Sequence, residues 1–197
     1  MLKQIGLQIS FTKEERRKIQ KKYHFEERDS QRFDWMVELL GSVVRAKAWY
    51  RICREKEIEE LPCSCYAAVV VTLSEYSDRL IALESEAGNL LDAYMLDCIA
   101  LEFLQKAYRQ TAQQIYQETQ LWQGEYYFFG EQLPLEYLPS ILETFPNIPV
   151  QLNSSGMIIP IKSVIYFAEL VEEPEERMDD ICFACKNQEC IYRKEQK

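Results

Sequence analysis

The chain has 197 residues and a mass of 23.3 kDa, which suits one domain built on a single hydrophobic core. Its formal net charge of −9 argues against nucleic acid as the partner, because nucleic-acid binding relies on clustered Lys and Arg. It contains no run of about 18 apolar residues, so we expect no membrane-spanning helix.

The histidine and cysteine content further limits the kinds of catalytic and metal sites that the sequence can form. His24 is the single histidine, which argues against His-rich metal sites and Ser-His-Asp catalysis. Seven cysteines occur in a chain whose first residues lack an apolar signal region. We therefore expect reduced thiols and a cytoplasmic location. Gly-rich phosphate loops and a nucleophile elbow are also absent from the sequence.

The N-terminal part predicts one strand and two helices. Residues 2–11 alternate between apolar and polar side chains, which predicts a strand. Thr12 and Glu15 form a capping box that opens a charged helix ending near Tyr23. A second helix is predicted from about Ser30 to residue 52, because apolar residues recur there at steps of three and four. That buried stripe contains Phe33, Met36, Val37, Leu40, Val44, Ala48 and Ile52.

The middle of the chain predicts a buried strand and two more helices. After a charged connector at 55–62, residues 65–73 are apolar and β-branched, as in a buried strand. Ser74 is the predicted N-cap of a helix that runs to about residue 86. The longest helical pattern covers 90–122, and Cys98 on its core face is interpreted as a small buried hydrophobe. Its predicted core stripe contains Leu91, Tyr94, Cys98, Leu101, Tyr108, Ala112, Ile115 and Thr119.

The C-terminal part predicts the remaining strands. Residues 125–129 are aromatic and extended, and Pro134 is expected in the first turn of a short helix. Residues 148–170 predict a strand, a turn at 153–156 and a second strand covered on both faces. The predicted fold class is α+β, with a twisted antiparallel or mixed sheet packed against long helices.

We expect one α+β domain over 1–171, with an N-terminal strand and helices at 1–60 and the rest of the core at 61–171. Residues 172–180 form an acidic, proline-containing linker. A cysteine-rich tail follows at 181–197.

The tail carries a candidate metal site. Cys182 and Cys185 have the two-residue spacing that lets both thiolates reach one ion, and Cys190 follows five residues later. Cys63 or Cys65 could supply a fourth thiolate. A site built from thiolates alone suits zinc or an iron–sulfur cluster. The alternative is a tail whose thiols are reduced and bind no metal.

One stretch of the sequence resembles a known family. Leu152-Asn-Ser-Ser-Gly-Met-Ile-Ile-Pro160-Ile-Lys-Ser163-Val164 is similar to the pattern Leu-Asn/Thr-Glu-Ser-x-x-Met-x-Pro-x-x-Ser-Val of the activation domain of vitamin B12-dependent methionine synthase, in its small stand-alone form. Residues 130–136 resemble that family's Gly-Asp-x-Pro-Leu-Glu segment, and the tail resembles the Cys-rich ending of small members. The resemblance covers roughly residues 60–193 and rests on the order of these pieces.

The resemblance implies an accessory or reactivation subunit for a cobalamin-dependent methyltransferase in methionine biosynthesis. In the family, the domain binds S-adenosylmethionine beside a corrinoid, and methyl transfer to the cobalt restores methylcobalamin. The implied partner is a corrinoid-binding protein or a split methionine synthase. The alternative is a non-catalytic relative that acts as a binding or assembly module and carries a Cys-ligated metal on its tail.

The resemblance also places a cofactor-binding face, although it assigns no catalytic residue. The expected cofactor-binding residues are Phe129, Gly130, Asn153, Ser154 and Ser163.

Several positions depart from the family pattern. The family's Arg-x-Ser/Ala-Pro-Gly-Tyr signature for S-adenosylmethionine falls on residues 124–129. There Gly124 replaces the arginine, Phe128 the glycine and Phe129 the tyrosine. Ser154 replaces a glutamate, and Tyr166 stands where the family tends to have small residues.

Overall fold

The computed structural model describes residues 1–173. The predicted metal ligands Cys182, Cys185 and Cys190 therefore lie outside the described residues. The strands are β1 Lys3–Gly6, β2 Lys47–Cys53, β3 Tyr66–Thr72, β4 Trp122–Phe128, β5 Gln151–Leu152, β6 Ile158–Ile159 and β7 Ser163–Val171. The α-helices are α1 Lys13–Lys22, α2 Ser30–Val43, α3 Glu75–Glu86, α4 Leu90–Thr119 and α5 Leu138–Glu143.

The main sheet has the strand order β1-β2-β3-β7-β4, and every neighbouring pair is antiparallel. The short strands β5 and β6 form a separate antiparallel hairpin. This arrangement confirms the predicted α+β class. None of the helices in residues 1–173 is both long and apolar enough to cross a membrane.

Apolar cores cover both faces of the sheet. Helices α1 to α4 pack on one face, where Tyr50, Val69 and Tyr166 belong to the larger apolar cluster. The connector after β2, helix α5 and the β5–β6 hairpin contribute to the cluster that contains Tyr66 and Phe167 from the other face. Successive residues of β3 and β7, which point to opposite faces of the sheet, are therefore buried on both faces. This confirms the prediction that β7 is covered on both sides.

The capping box of α1 is present as predicted. The Glu15 N–H donates to Thr12 Oγ1 at 3.2 Å, and the Thr12 N–H donates to the Glu15 carboxylate at 2.7 Å. The predicted cap of α3 is only partly right. Ser74 precedes α3, but its side chain makes no capping bond, and its hydroxyl instead accepts the Arg45 N–H at 3.3 Å.

The prediction that α2 continues to residue 52 is wrong. The helix ends at Val43, and both Ala48 and Ile52 lie in β2. A four-residue step fits a helix, but it also joins side chains on one face of a strand. Because β2 has buried residues on both faces, its sequence lacks the polar alternation that marks a half-exposed strand. The first strand is also shorter than predicted and ends at Gly6.

The predicted core stripe of α4 is also partly wrong. Leu91 and Tyr94 are 42% and 48% exposed, whereas Cys98 and Ile115 are fully buried. The helix packs against α2 and α3 as well as the sheet, so its buried surface is a broad band that includes Phe103. Cys98 is confirmed as a small buried hydrophobe.

Candidate functional site

The predicted cofactor-binding residues of β4 and β7 meet at one end of the sheet. Phe129 and Gly130 directly follow β4, and Ser163 is the first residue of β7. Phe128 pairs with Tyr166 across the two antiparallel strands. The end of β4 therefore lies beside the beginning of β7. We call this region the β7-start end of the sheet.

Phe129 and Gly130 form a tight turn after β4. Gly130 has a φ of +85°, which an L side chain adopts only with strain, and its N–H donates to the Leu133 carbonyl at 2.8 Å. The ring of Phe129 packs against Phe167, with centroids 5.7 Å apart. Both residues therefore shape and pack the turn.

Asn153 and Ser154 lie in the turn between β5 and β6. Asn153 Oδ1 accepts the backbone N–H groups of Ser155 and Met157, each at 2.9 Å. Gly156 has a φ of +75°, as predicted for the turn. The side chain of Asn153 thus organises the hairpin, while Ser154 is exposed at its tip.

The apolar residues beside that tip anchor the hairpin. Leu152 and Ile158 pack on the cluster that Phe129 also contacts. The hairpin and the turn after β4 therefore pack on the same face of the sheet.

Ser163 joins β7 to β3. Its hydroxyl donates to Thr72 Oγ1 at 2.7 Å, and the same Thr72 oxygen accepts the Ser74 N–H at 3.1 Å. Thr72 is 1% exposed. The Ser163 hydroxyl is therefore committed to a buried bond that fixes the start of the strand.

Charged residues beside Ser163 hold the start of β7 in place, and they were not among the residues predicted from the sequence. The Lys162 ammonium contacts the Asp97 carboxylate at 2.7 Å, and the Lys162 side chain is 10% exposed. Asp78 accepts the Ile161 N–H at 2.6 Å. One available signal was a lysine inside an otherwise apolar run, because a nearly buried ammonium requires an acidic partner. These contacts hold the segment before β7 against α3 and α4.

That segment exposes a row of apolar side chains, which we call the apolar row. Met157, Ile159 and Ile161 alternate with inward-facing or backbone-anchored residues, and they are 61%, 37% and 70% exposed. Met157 and Ile159 are two residues apart at β6 and point to the same side, and Ile161 lies beyond the bend at residues 160–162. The apolar row lies next to the candidate cofactor-binding residues in the sequence and in the fold.

Packing residues occupy the positions of the S-adenosylmethionine signature. Gly124 lies where the pairing of β4 with β7 shifts register, and a Cβ added there would come 3.2 Å from Val171 Cγ1. Phe128 packs on Tyr166, with ring centroids 6.0 Å apart, and Phe129 packs on Phe167. The residues present therefore do not fit the family's way of holding this cofactor.

Tyr166 fills the helix-side core behind Phe128. The phenol is fully buried, and no hydrogen bond to its hydroxyl is formed within residues 1–173. Burial raises the pKa of Tyr166 well above its usual value, and the neighbouring Tyr126 and Tyr108 phenols add to the shift. The Gln123 side chain acts in the opposite direction and lowers the pKa of Tyr166. The Gln123 amide nitrogen and the Tyr166 hydroxyl nevertheless do not form a hydrogen bond with each other.

The described cysteines differ in exposure. Cys53 and Cys98 are buried, whereas Cys63 and Cys65 are partly exposed, and all four are free thiols. Within residues 1–173, no group of three His, Cys, Asp or Glu side chains is arranged to hold a metal ion.

Comparison with known proteins supports the fold. No family model matches the chain, and no curated protein matches its sequence. A solved structure described as the MetH reactivation domain bound to AdoHcy has a similar fold, with a TM-score of 0.63. The similarity covers 89% of this chain and 80% of that chain at 11% sequence identity. At this identity the likeness shows an α+β fold of the MetH reactivation-domain type.

Proposed function

We propose that this protein is an accessory or reactivation subunit that docks on the corrinoid protein of a cobalamin-dependent methyltransferase. The observation that carries the proposal is the fold similarity to the MetH reactivation domain, which extends over 89% of the chain. The order of sequence motifs between residues 130 and 164 supports the same role.

The apolar row is the proposed docking element. Exposed apolar side chains gain free energy when a partner covers them, at roughly 25 cal/mol per Å² of buried apolar area. The backbone of the row is held on the domain by the bond from the Ile161 N–H to Asp78, and the next residue is held by the Lys162–Asp97 ion pair. A fixed surface loses little conformational entropy on docking, so it favours association.

S-adenosylmethionine is the proposed methyl donor only if residues outside the family signature hold it. The chain lacks the guanidinium that could pair with the donor's carboxylate, because Gly124 stands at that position. The donor and the corrinoid would supply the chemistry, and the chain would contribute position and exclusion of solvent. Docking is therefore the part of the proposal that the described residues support best.

Isothermal titration calorimetry tests both parts with the full chain. The probes are S-adenosylmethionine and the cobalamin-binding domain of a methionine synthase. We expect Ile161→Asp to weaken binding of the corrinoid domain at least about tenfold, because it places a charge in the apolar interface. Leu90→Asp is the matched control, since Leu90 is similarly exposed at 68% but begins helix α4. Equal binding by the wild type and Ile161→Asp would exclude the apolar row as the docking element.

A second candidate function is a non-catalytic binding or assembly module whose Cys tail holds zinc or an iron–sulfur cluster. The favouring observation is that Gly124, Phe128 and Phe129 replace the signature residues, and that the two phenylalanines serve packing. This candidate predicts that the full chain purified without oxygen contains metal but does not bind S-adenosylmethionine. A metal-free chain with unchanged stability would exclude it.

A further inference from the structure

An open cavity of about 470 Å³ lies between the C-terminal end of α2 and the segment that follows β1. Its volume falls within the roughly 300 to 1,000 Å³ that is usual for small-molecule sites. Gly6 and Lys47 line the cavity and pair with each other, and Lys47 pairs with Thr72, which in turn pairs with Ser163. The cavity therefore lies at the β7-start end of the sheet, but at the β1 edge, whereas β4 forms the opposite edge.

Apolar side chains form one wall of the cavity. Phe103 of α4 and Ala46 are buried, and Ile9 and Val44 are partly buried. All four belong to the helix-side apolar cluster or pack against it. The apolar part of a ligand bound here would therefore leave water for a surface that the core already holds in place.

Gly41 keeps the cavity open beside that wall. It lies within α2, where glycine is a poor helix former, and it does not have a positive φ. A Cβ added to Gly41 would lie 3.7 Å from Phe103 Cζ, which is an ordinary van der Waals contact. Neither the backbone conformation nor the packing therefore requires glycine at this position. A missing side chain is expected where a ligand approaches the backbone closely.

The charged residues that line the cavity are cationic. Among residues 1–173, the lining includes Arg45 and Lys47 but no Asp or Glu, although the chain has 32 acidic residues against 23 Lys and Arg. Arg45 Nη1 donates to the carbonyls of Ser42 and Val44, each at 2.9 Å. Because these acceptors are neutral, they fix the side chain at the end of α2 without cancelling its charge. A fixed guanidinium with further N–H donors is suited to binding a carboxylate.

We propose that this cavity binds a small carboxylic acid with an apolar body, of the size of a medium-chain aliphatic carboxylate. The apolar body lies against Val44 and Phe103, and Arg45 donates to the carboxylate. The cavity shares no residue with the apolar row or with the candidate cofactor-binding residues. Its test is therefore independent of the proposed docking role.

Titration of the full chain with octanoate, followed by two-dimensional NMR of the backbone amides, tests the charge and the apolar body separately. Octanoate should bind saturably and shift the amide signals of Gly41 and Ala46. Octanol has the same apolar body without the charge, and it should bind about fivefold more weakly, the upper end of what a solvent-exposed ion pair contributes. Arg45→Met should weaken the binding of octanoate by about the same factor and leave the binding of octanol unchanged.

A second pair of variants tests the cavity itself. Gly41→Leu should weaken octanoate binding at least about tenfold, because the new side chain occupies the cavity. The fold should be kept, since leucine favours a helix more than glycine does. Ser42→Leu is the matched control, because Ser42 is the next residue of α2, is also exposed and does not line the cavity.

Three results would overturn the proposal. The first is a wild-type chain that shows no saturable shifts, or shifts only in amides remote from the cavity. The second is an equal loss of octanoate and octanol binding in Arg45→Met, which would exclude recognition of the carboxylate. The third is an equal affinity of Gly41→Leu and Ser42→Leu for octanoate. If Gly41→Leu does not fold, Gly41→Ala takes its place, since the added Cβ has room beside Phe103 and should still weaken octanoate binding.

Discussion

Two fully buried tyrosines differ in the bonding of their hydroxyls, and this difference predicts opposite effects of the same mutation. Tyr50 is 1% exposed, and its hydroxyl donates to the Glu118 carboxylate at 2.6 Å. Tyr166 is 0% exposed, and its hydroxyl makes no hydrogen bond with residues 1–173. Replacing either residue by Phe removes one oxygen atom and little else.

The expected changes in the free energy of unfolding follow from the hydrogen-bond partners of the two hydroxyls. Tyr50→Phe removes a hydrogen bond to a charged group, and because Glu118 is partly exposed we expect a loss of about 1 to 2 kcal/mol. Tyr166→Phe removes a hydroxyl whose burial without a partner costs about 1 to 3 kcal/mol, partly offset by the small void that it leaves. We therefore expect Tyr166→Phe to be neutral or to stabilise the protein by about 1 kcal/mol.

Urea unfolding of the full chain, followed by circular dichroism, measures both free energies. The two variants should differ by about 2 kcal/mol, which corresponds to about 4 to 8 °C in Tm for a chain of this size. If Tyr166→Phe destabilised the protein as much as Tyr50→Phe, the Tyr166 hydroxyl would have a bonding partner.

Three further predictions concern the turns and the buried thiols. Gly130→Ala should cost about 1 to 2 kcal/mol because of its positive φ, whereas Gly6→Ala, with open space around its Cα, should be nearly neutral in urea unfolding. Asn153→Ala should cost about 1 to 2 kcal/mol, because two backbone N–H groups lose their acceptor, and amide hydrogen exchange should speed up in the hairpin. Burial raises the pKa values of Cys53 and Cys98 from 9.0 to about 11, so the unfolded chain releases these protons first. The stability that the two protonated thiols contribute is therefore complete below pH 9 and is lost as the pH rises towards 11. The midpoint of urea unfolding should accordingly be lower at pH 10 than at pH 7.5.

The sequence was most informative where local chemistry determines the structure. The Thr12 and Glu15 capping box and the Asn153 turn each depend on side chains close in sequence, and both were predicted. The buried strand β3 was also predicted, because a short β-branched run between breakers has few other interpretations.

Tertiary packing decided the features that the sequence did not reveal. Ala48 and Ile52 fit a helical stripe as well as a strand, and only the pairing of β2 with β1 and β3 selects the strand. The Lys162–Asp97 ion pair joins residues 65 positions apart, and a local sequence pattern cannot predict a contact over that separation. The bonding partners of Asn153 and Ser163 also could not be predicted in full from spacing, because Ser163 bonds Thr72 on another strand.

The most direct test of the central claim is co-sedimentation of the full chain with the cobalamin-binding domain of a methionine synthase. Detection at a visible wavelength follows only the coloured corrinoid protein, because this chain is expected to be colourless there unless it carries a cluster. Docking predicts a faster-sedimenting coloured species that saturates as the chain is added and that is lost with Ile161→Asp. An unchanged sedimentation coefficient of the corrinoid domain, with its cobalt either oxidised or reduced, would contradict the proposed role.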